Sequence, residues 1–511
     1  MTRTRRFIGG AGFGYANQAM VTVAGLWLTP FLLTRTGQQD YGLWLVCTQA
    51  LAYLTLMDFG VVALLPRETA YALGRAGGAV KGDELPLVVG QTARLVLWQT
   101  PLVAAASLAF WLLVPAEWGP LSRPLALVLL TFTLTFPLRI FQAVLLGLQD
   151  LEFLAKAQAC SWLLSTALTV ALVAAGFGLY ALAGGWVAAQ ALVFGLTLVR
   201  VRRRYPEALP RSLPRLTREG ARRRLAGGFW VSVSQIASVL LSGTDLIIVG
   251  KLLGPAAVVP YACTGKLVAV FSNQPQMLSQ LAIPALSEIR AGAPREHLAH
   301  VCLALSHAVL LLSGAVVCVV MVVNRGFVGW WVGSGQYGGF TLTLLVLLLM
   351  VLRHWNMTLG VMIFSFGGER RLAVVGLLDG VVTLVSAVAL TRWLGFVGAP
   401  LGSIVGVCVV GLPCNVAGLA ASGALPVARL LRSLAPWFWR FALLALGACL
   451  LARRFVPDTF ATLAAASLVA ATAYALVMLP VAWREPLGSY VRPRVAPLLL
   501  RFSRALQRGA A

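Results

Sequence analysis

The sequence has few charged residues, and acidic ones are the scarcest. Of its 511 residues only 17 are Asp or Glu, and charged residues together make up 11%, against roughly 25% in soluble proteins. Hydrophobic residues account for 59%. A chain of this composition cannot cover itself with a water-facing surface, so an ordinary soluble protein is excluded and a membrane protein is indicated.

Clustered metal-ligating and catalytic residues are also lacking. The eight cysteines are scattered without CxxC spacing, and the four histidines have no supporting cysteine or carboxylate geometry. No acidic pair of the glycosidase type and no large loop on the outward side accompany them. The sequence therefore predicts no metal site, no cofactor and no catalytic residue.

Long apolar runs dominate the sequence instead. Many reach the roughly 20 residues that a helix needs to cross the hydrocarbon core, and none alternates apolar and polar residues as a membrane barrel would. We predict an all-α polytopic membrane protein with about 14 transmembrane helices. The predicted spans lie near 7–34, 41–65, 90–114, 122–148, 154–175, 178–199, 226–250, 257–285, 298–323, 338–364, 372–391, 395–420, 435–452 and 459–483.

The distribution of Lys and Arg predicts the orientation of these spans. About 31 of the 41 basic residues fall at the N-terminus, in alternate loops and at the C-terminus, against about 7 on the opposite side. Both termini are therefore predicted to be cytoplasmic. The net charge of +24 is explained by this bias, so no nucleic-acid partner is predicted.

A weak internal repeat divides the chain. Residues 176–183 (GFGLYALA) resemble residues 395–402 (GFVGAPLG) at an offset of about 219 residues. Spans one to six would then repeat as spans seven to twelve, related by a pseudo-two-fold axis along the membrane normal, with a cleft between two bundles. The predicted domains are an N-terminal six-helix bundle (1–200), a basic linker (201–225), a C-terminal six-helix bundle (226–420), two additional transmembrane helices (421–483) and a basic tail (484–511).

Ionisable residues at membrane depth are costly, so the few in this chain are functional candidates. The candidate cations for binding an anionic head group are Arg139, Lys266 and Arg353. The deep acids, which could couple transport to protons or sodium or simply hold helices together, are Asp58, Asp245 and Asp379. Further polar residues predicted on wet helix faces are Gln18, Gln235 and Asn273.

Other interpretations of these residues stay open at this point. Asp245 and Lys266 lie at similar predicted depth and could form a structural ion pair. Arg139 could extend its side chain to the membrane interface. The uncharged polar residues could serve only as interhelical hydrogen-bond partners.

Two stretches carry a family resemblance. The first comprises Leu28-Thr29-Pro30-Phe31-Leu32-Leu33, Gly37, Tyr41-Gly42-Leu43-Trp44, Tyr53, Leu56, Asp58, Gly60, Arg67-Glu68 and Ala70. The second comprises Asp245-Leu246-Ile247-Ile248-Val249-Gly250, Leu253-Gly254 and Tyr261. Both resemble the corresponding spans of bacterial polysaccharide flippases in the multidrug/oligosaccharidyl-lipid/polysaccharide (MOP) exporter superfamily.

This resemblance implies a flippase of the bacterial inner membrane and no enzyme. The substrate would be an undecaprenyl-pyrophosphate-linked oligosaccharide, moved from the cytoplasmic to the periplasmic leaflet by alternating access through a cationic cavity, for cell-surface polysaccharide biosynthesis. Membrane lipids, a polysaccharide polymerase and export machinery are the implied partners. The two additional spans resemble the lipid II flippase branch, in which they form a groove for the lipid tail.

Two alternatives remain. A cation-coupled multidrug exporter of the same superfamily would require acidic residues to dominate the cavity, whereas three deep cations accompany three deep acids here. A polysaccharide polymerase would require a large outward loop or an acidic catalytic pair.

Overall fold

The computed structural model of the protein describes residues 3–75, 84–214, 218–292, 294–422 and 425–493. All regular secondary structure in these ranges is helical. All fourteen predicted spans coincide with helices of the structure, some with one helix and some with several consecutive helices. The predicted all-α fold class is confirmed.

The chain divides into two compact units, Met1–Val259 and Pro260–Ala511. The helices of the first unit are α1 (Arg3–Thr36), α2 (Gln38–Leu54), α3 (Val61–Arg75), α4 (Glu84–Leu112), α5 (Gly119–Thr135), α6 (Arg139–Gly147), α7 (Leu151–Ala174), α8 (Leu179–Arg204), α9 (Arg218–Ser242) and α10 (Asp245–Leu253). The division between the units falls within the next helix, α11 (Pro255–Thr264).

The second unit continues with longer helices. They are α12 (Lys266–Leu281), α13 (Ile283–Gly292), α14 (Arg295–Val332), α15 (Phe340–Ser365), α16 (Glu369–Leu394), α17 (Gly398–Gly406), α18 (Leu412–Ala421), α19 (Val427–Arg454) and α20 (Phe460–Trp483). A π-helical segment, Val407–Gly411, joins α17 to α18.

This division differs from the domain boundaries predicted from the repeat. Residues 226–259, predicted to open the C-terminal bundle, belong to the first unit, where α9 packs on α3 and α10 packs on α2. A compact unit is defined by which helices pack together, whereas a repeat is defined by sequence order. The predicted repeat and its five segments therefore stay a prediction.

The described helices agree with the predicted number of spans. Nine helical stretches are long and apolar enough to cross a membrane, or up to 12 if three bent helix pairs each count as one span. One of the nine, Glu369–Ala421, holds two predicted spans, α16 and α17–α18. The upper count of 12 rises by one for the second span within Glu369–Ala421 and by one for α1, which has 34 residues. The result agrees with the predicted number of about fourteen.

Three predicted spans are broken in the middle. The bends are 55° between α2 and α3, 49° between α9 and α10, and 51° between α11 and α12. At the first bend Phe59 and Gly60 both adopt positive φ values of 48° and 71°, which ends the preceding helix and lets the chain turn. Non-helical backbone at membrane depth occurs where protein surrounds it or where it lines a cavity.

Helix α14 forms the centre of the second unit. It is 38 residues long, and 67% of its most apolar window is buried, a larger share than in any other candidate span of the described chain. It packs against α12, α15, α19 and α20. The two helices that follow the predicted repeat thus cover the central helix, with Leu430, Leu434, Trp437, Tyr474 and Met478 buried.

Candidate functional site

The break between α2 and α3 places an aspartate inside the first unit. Asp58 is the last residue before the turn and is 1% exposed. Its Oδ1 accepts a hydrogen bond from the Gly60 backbone N–H at 3.0 Å, and its own carbonyl accepts one from Gln99 Nε2 at 3.1 Å. Side chains therefore form hydrogen bonds with a backbone N–H group and a backbone carbonyl that the helix break leaves without helical partners, as a buried helix end requires.

Arg139 begins α6 and extends towards this aspartate. Its Nη2 lies 4.0 Å from Asp58 Oδ2, its Nη1 donates to the Thr55 carbonyl at 3.4 Å, and its guanidinium lies over the Phe136 ring at 5.5 Å. Both polar contacts are long, since charge-assisted N–H···O hydrogen bonds are usually about 2.7–2.9 Å. The guanidinium is thus neutralised in part but keeps donors for another acceptor.

A cavity of about 260 Å³ adjoins the Arg139 side chain. Besides this arginine, the polar residues that line it are Thr48, Thr55, Thr135, Trp186 and Gln190. A water molecule takes roughly 30 Å³ of liquid volume, so the cavity can hold several waters or a phosphate-sized group. We call it the Arg139 cavity.

Arg353 in α15 occupies a different environment. Its Nη1 donates to Asp379 Oδ2 at 2.5 Å, and its Nη2 donates to Thr383 Oγ1 at 3.0 Å and to the Ser403 carbonyl at 3.2 Å. Thr383 also donates to Asp379 Oδ1 at 3.2 Å. The aspartate side chain is 1% exposed and the arginine side chain 19%. This arginine is held in a buried ion pair across α15, α16 and α17.

The π-helical segment makes room for that ion pair. A Cβ atom added at Gly406 would lie 2.7 Å from Asp379 Oδ1, and one at Gly411 would lie 2.5 Å from Asp379 Oδ2 and 2.8 Å from Asn356 Nδ2. Two glycines thus let the backbone approach the carboxylate closely. Just beyond the segment, Asn415 Nδ2 donates to Asn356 Oδ1 at 2.8 Å. Single-turn π segments of this kind are frequent at functional sites.

Lys266, the third candidate cation, is the first residue of α12, directly after the bend. It is half-buried. Within the described residues of its own unit, no carboxylate lies at ion-pair distance from its ammonium group. An ion pair with Asp245 would join the two units and stays a prediction.

The remaining predicted site residues lie at several places. Asp245 begins α10 directly after the bend and is half-buried. Gln235 in α9 has a buried Oε1 without a hydrogen-bond partner among the described residues, and Asn273 lies half-buried in α12. The side chain of Gln18 lies outside the described residues. The structure therefore brings together Arg139 with Asp58 and Arg353 with Asp379, and the assignment of these residues to a site stays a prediction.

An apolar cavity of about 550 Å³ lies between α14, α19 and α20. Its lining is almost entirely apolar and includes Val322, Leu444, Leu451, Ala470 and Phe455. Several alanines of α20 also line it, and their small side chains leave space between the helices. We call this space the tail groove, since only apolar groups can fill it without losing hydrogen bonds.

Several of these features could not be found in the sequence. Thr48, Gln190 and Trp186 come to the Arg139 cavity from α2 and α8, which are far apart in the chain. The sequence does hold one signal for the ion-pair cluster. Thr383 follows Asp379 by four residues, so the two side chains lie on one face of α16 and can form the hydrogen bond between them.

Comparison with known proteins gives the class of this architecture. The family described as "Polysaccharide biosynthesis protein" matches residues 98–341. A search of curated proteins by sequence gives no match. The strongest information comes from solved structures.

An inward-facing multidrug resistance MATE family transporter of the MOP superfamily superimposes with a TM-score of 0.60 at 15% identity, covering 78% of this chain and 94% of that one. The lipid II flippase MurJ in an inward closed conformation gives a TM-score of 0.59 at 11% identity, covering 91% of this chain and 100% of that one. At these identities the comparisons show the fold: the chain folds like these two proteins, the first of which is described as a member of the MOP superfamily.

A third structure, an outward-facing MATE transporter of the same superfamily, gives a TM-score of 0.53 at 14% identity over 80% of this chain and 94% of that one. The MATE transporters thus leave about a fifth of this MOP-fold chain uncovered, whereas MurJ leaves less than a tenth.

Proposed function

We propose that this protein is a flippase that moves an undecaprenyl-pyrophosphate-linked oligosaccharide from the cytoplasmic to the periplasmic leaflet by alternating access. The MOP fold and the match to a polysaccharide biosynthesis family support transport of a lipid-linked glycan. Binding of the pyrophosphate is the step that requires a cation at membrane depth, because an unpaired anion is costly there.

The Arg139 cavity is the observation that carries this proposal. Its arginine is only partly neutralised by Asp58, at 4.0 Å, and it faces a polar space within the first unit. A phosphate group entering this space could accept hydrogen bonds from the free guanidinium donors. Lys266, which has no ion-pair partner in the described part of its unit, is the second proposed cation.

Arg353 has a different role in this proposal. Its guanidinium already makes three hydrogen bonds within its own unit, so it has little capacity left for a ligand. We assign it to the stability of the second unit. Ion coupling through Asp58, Asp245 or Asp379 remains a further hypothesis, and the pairing of the first and last with arginines argues against their acting as free carboxylates.

The tail groove supports an amphiphilic substrate. A prenyl chain needs an apolar path when its head group leaves the membrane surface, and the groove of about 550 Å³ between α14, α19 and α20 supplies one. This agrees with the role that the resemblance implies for the two additional helices.

A cation-coupled drug exporter is the second candidate, since MATE transporters match the fold equally well. It requires carboxylates available for an organic cation. Asp58 and Asp379 both face arginines, which favours the flippase.

The test is translocation of a fluorescent undecaprenyl-pyrophosphate oligosaccharide in proteoliposomes. We expect the native protein to move it, and Arg139→Gln to slow the movement by at least about tenfold, the loss of roughly 1.4 kcal/mol of binding. Lys266→Gln should also slow it. Arg392→Gln, at an exposed arginine at the end of α16, is the matched control and should leave transport unchanged.

Two results would reject the proposal. If the Arg139→Gln, Lys266→Gln double variant still transports the lipid-linked glycan, these two residues do not form the substrate site. Export of a cationic dye against a proton gradient, with no movement of the lipid-linked glycan, would establish the drug exporter instead. A size-exclusion profile of each variant separates a lost site from a lost fold.

A further inference from the structure

A second, polar cavity lies at one end of the second unit. It has a volume of about 680 Å³ and is lined by the last turns of α14, the last turn of α19 and the turn that follows it. Two arginines line it, Arg325 from α14 and Arg453 from α19. Both are exposed, so their guanidinium groups are accessible from this space.

The two arginines lack anionic partners in the described part of the chain. The guanidinium of Arg453 lies over the Phe340 ring at 4.7 Å, and neither arginine makes an ion pair there. Asp458 also lines the cavity, but its carboxylate is not within ion-pair distance of either guanidinium. The cavity thus presents a net positive charge.

The position of these charges is unusual for a membrane protein. By the predicted orientation this end faces outward, where only about seven of the basic residues lie and where positive charge is disfavoured. Two of them line a single cavity. Because basic residues are scarce on this side, two arginines in one cavity favour a bound anion that neutralises their charge.

The backbone around the cavity is closely packed. Gly326 of α14 approaches the Pro457 carbonyl so closely that an added Cβ would overlap it. Trp330, also in the lining, packs against Phe460 with ring centroids 5.9 Å apart. Aromatic side chains of this kind are enriched at the level of lipid head groups.

The polar cavity and the tail groove are lined by neighbouring residues of the same two helices. On α14, Val322 lines the groove and Arg325, three residues further on, lines the polar cavity; on α19, Leu451 lines the groove and Arg453, two residues further on, lines the polar cavity. Two adjoining spaces, one apolar and one cationic, match the two parts of an anionic lipid.

We propose that this end of the second unit binds a phospholipid of the outer leaflet, with its phosphate between Arg325 and Arg453 and an acyl chain in the tail groove. Anionic lipids such as phosphatidylglycerol fit better than zwitterionic ones because the cavity carries an excess of positive charge. This inference goes beyond the proposed function, because a resident lipid could bind here whether the chain moves a glycan lipid or a drug. In the proposed flippase, the prenyl chain of the substrate would displace the acyl chain of this lipid from the tail groove during transport.

The experiment uses the full chain, delipidated in detergent and titrated with dioleoyl-phosphatidylglycerol. Native mass spectrometry counts bound lipid, and thermal unfolding measures its stabilising effect. We expect Arg325→Gln with Arg453→Gln to weaken binding by at least about tenfold. Arg454→Gln, at the neighbouring exposed arginine that does not line the cavity, should bind as the native chain does.

A second pair of variants tests the tail. Ala470→Phe places a ring in the tail groove and should reduce lipid binding, whereas Ala475→Phe, at an exposed residue of the same helix outside the lining, should not. These variants keep the proposal testable if the arginine variants fold poorly.

Three outcomes would overturn the proposal. They are equal binding of phosphatidylglycerol and phosphatidylcholine, unchanged binding in the double arginine variant, and full stabilisation by inorganic phosphate without lipid. None of them depends on translocation, so they leave the proposed flippase function to be judged by its own test.

Discussion

At the scale of single residues, the second unit depends on one buried charge pair. Arg353 donates one hydrogen bond to Asp379, one to Thr383 and one to the Ser403 carbonyl, and Thr383 in turn donates to Asp379. Within this pair of side chains, Arg353 Nε is buried without a hydrogen-bond partner among the described residues. Taking one partner away would leave a charge in a medium that cannot solvate it.

We therefore expect Asp379→Ala to lower the free energy of unfolding by about 3–5 kcal/mol, the usual cost of an uncompensated buried charge. Replacing both partners by Arg353→Met and Asp379→Leu should recover part of this loss, because no isolated charge remains. Thermal unfolding in detergent measures both effects.

Arg392→Ala, at an exposed arginine of α16, serves as the control for that comparison. It should change the unfolding midpoint little, since exposed charges contribute about 0–1 kcal/mol. A double variant no more stable than Asp379→Ala alone would contradict the assignment of Arg353 to stability.

At the scale of elements, small residues decide how closely helices approach. Helices α16 and α17 cross where Gly402 lies against the Ala387 backbone and Gly398 lies against Leu390. Without water to drive apolar association, such packing is a main source of helix affinity in a membrane.

Gly402→Val should separate α16 from α17 and destabilise the second unit by at least about 2 kcal/mol, within the range for overpacked cores. Gly195→Ala in α8 is the control: an added Cβ there meets nothing within 4 Å, so the better helix propensity of alanine should be neutral or slightly stabilising. Comparable losses in both variants would show that the close approach is unimportant. Thermal unfolding again gives the comparison.

The π-helical segment Val407–Gly411 sets the rotation of the helix that follows it. Deleting Val409, an exposed residue, should convert the segment to α-helix and turn α18 by about 100°, the rotation per residue. Asn415 would then leave Asn356, at a cost of about 1–3 kcal/mol for buried groups left unpaired.

Val409→Ala keeps the residue count and is the matched control for the deletion. Its unfolding midpoint should stay near that of the native chain, because the side chain is 64% exposed. A deletion variant as stable as this control would mean that the π segment has no structural role.

At the scale of the whole molecule, the orientation in the membrane is the main open prediction. Charge bias predicts that residues near 207 face the cytoplasm and residues near 117 face outward. In a cysteine-free background, Glu117→Cys should react with an impermeant maleimide in intact cells, whereas Glu207→Cys should react only after permeabilisation. Both side chains are exposed, so access to the reagent depends on sidedness alone.

The reverse labelling pattern would invert the topology, and with it the predicted direction of transport. It would also move the proposed lipid cavity of Arg325 and Arg453 to the cytoplasmic leaflet. Labelling of both positions in intact cells would indicate that the membrane barrier was lost in the assay.

The sequence by itself determined the fold class, because the solvent imposes it. A helix in lipid must be long and apolar, so spans such as 298–323 and 459–483 are readable from hydropathy alone and coincide with α14 and α20. It also singled out Asp58, Arg139, Arg353 and Asp379, since charge at membrane depth is rare in any sequence.

Only the tertiary structure decided which groups those charges contact. Arg353 contacts groups 26 and 50 residues away, and Arg139 contacts a carbonyl 84 residues away. Pairing over such distances depends on helix packing and leaves no periodic signal in the chain. Sequence analysis therefore assigned one role to all three cations. Packing instead engages Arg353 in three hydrogen bonds and leaves Arg139 beside a cavity, because the fold decides which acceptors come within reach of each guanidinium.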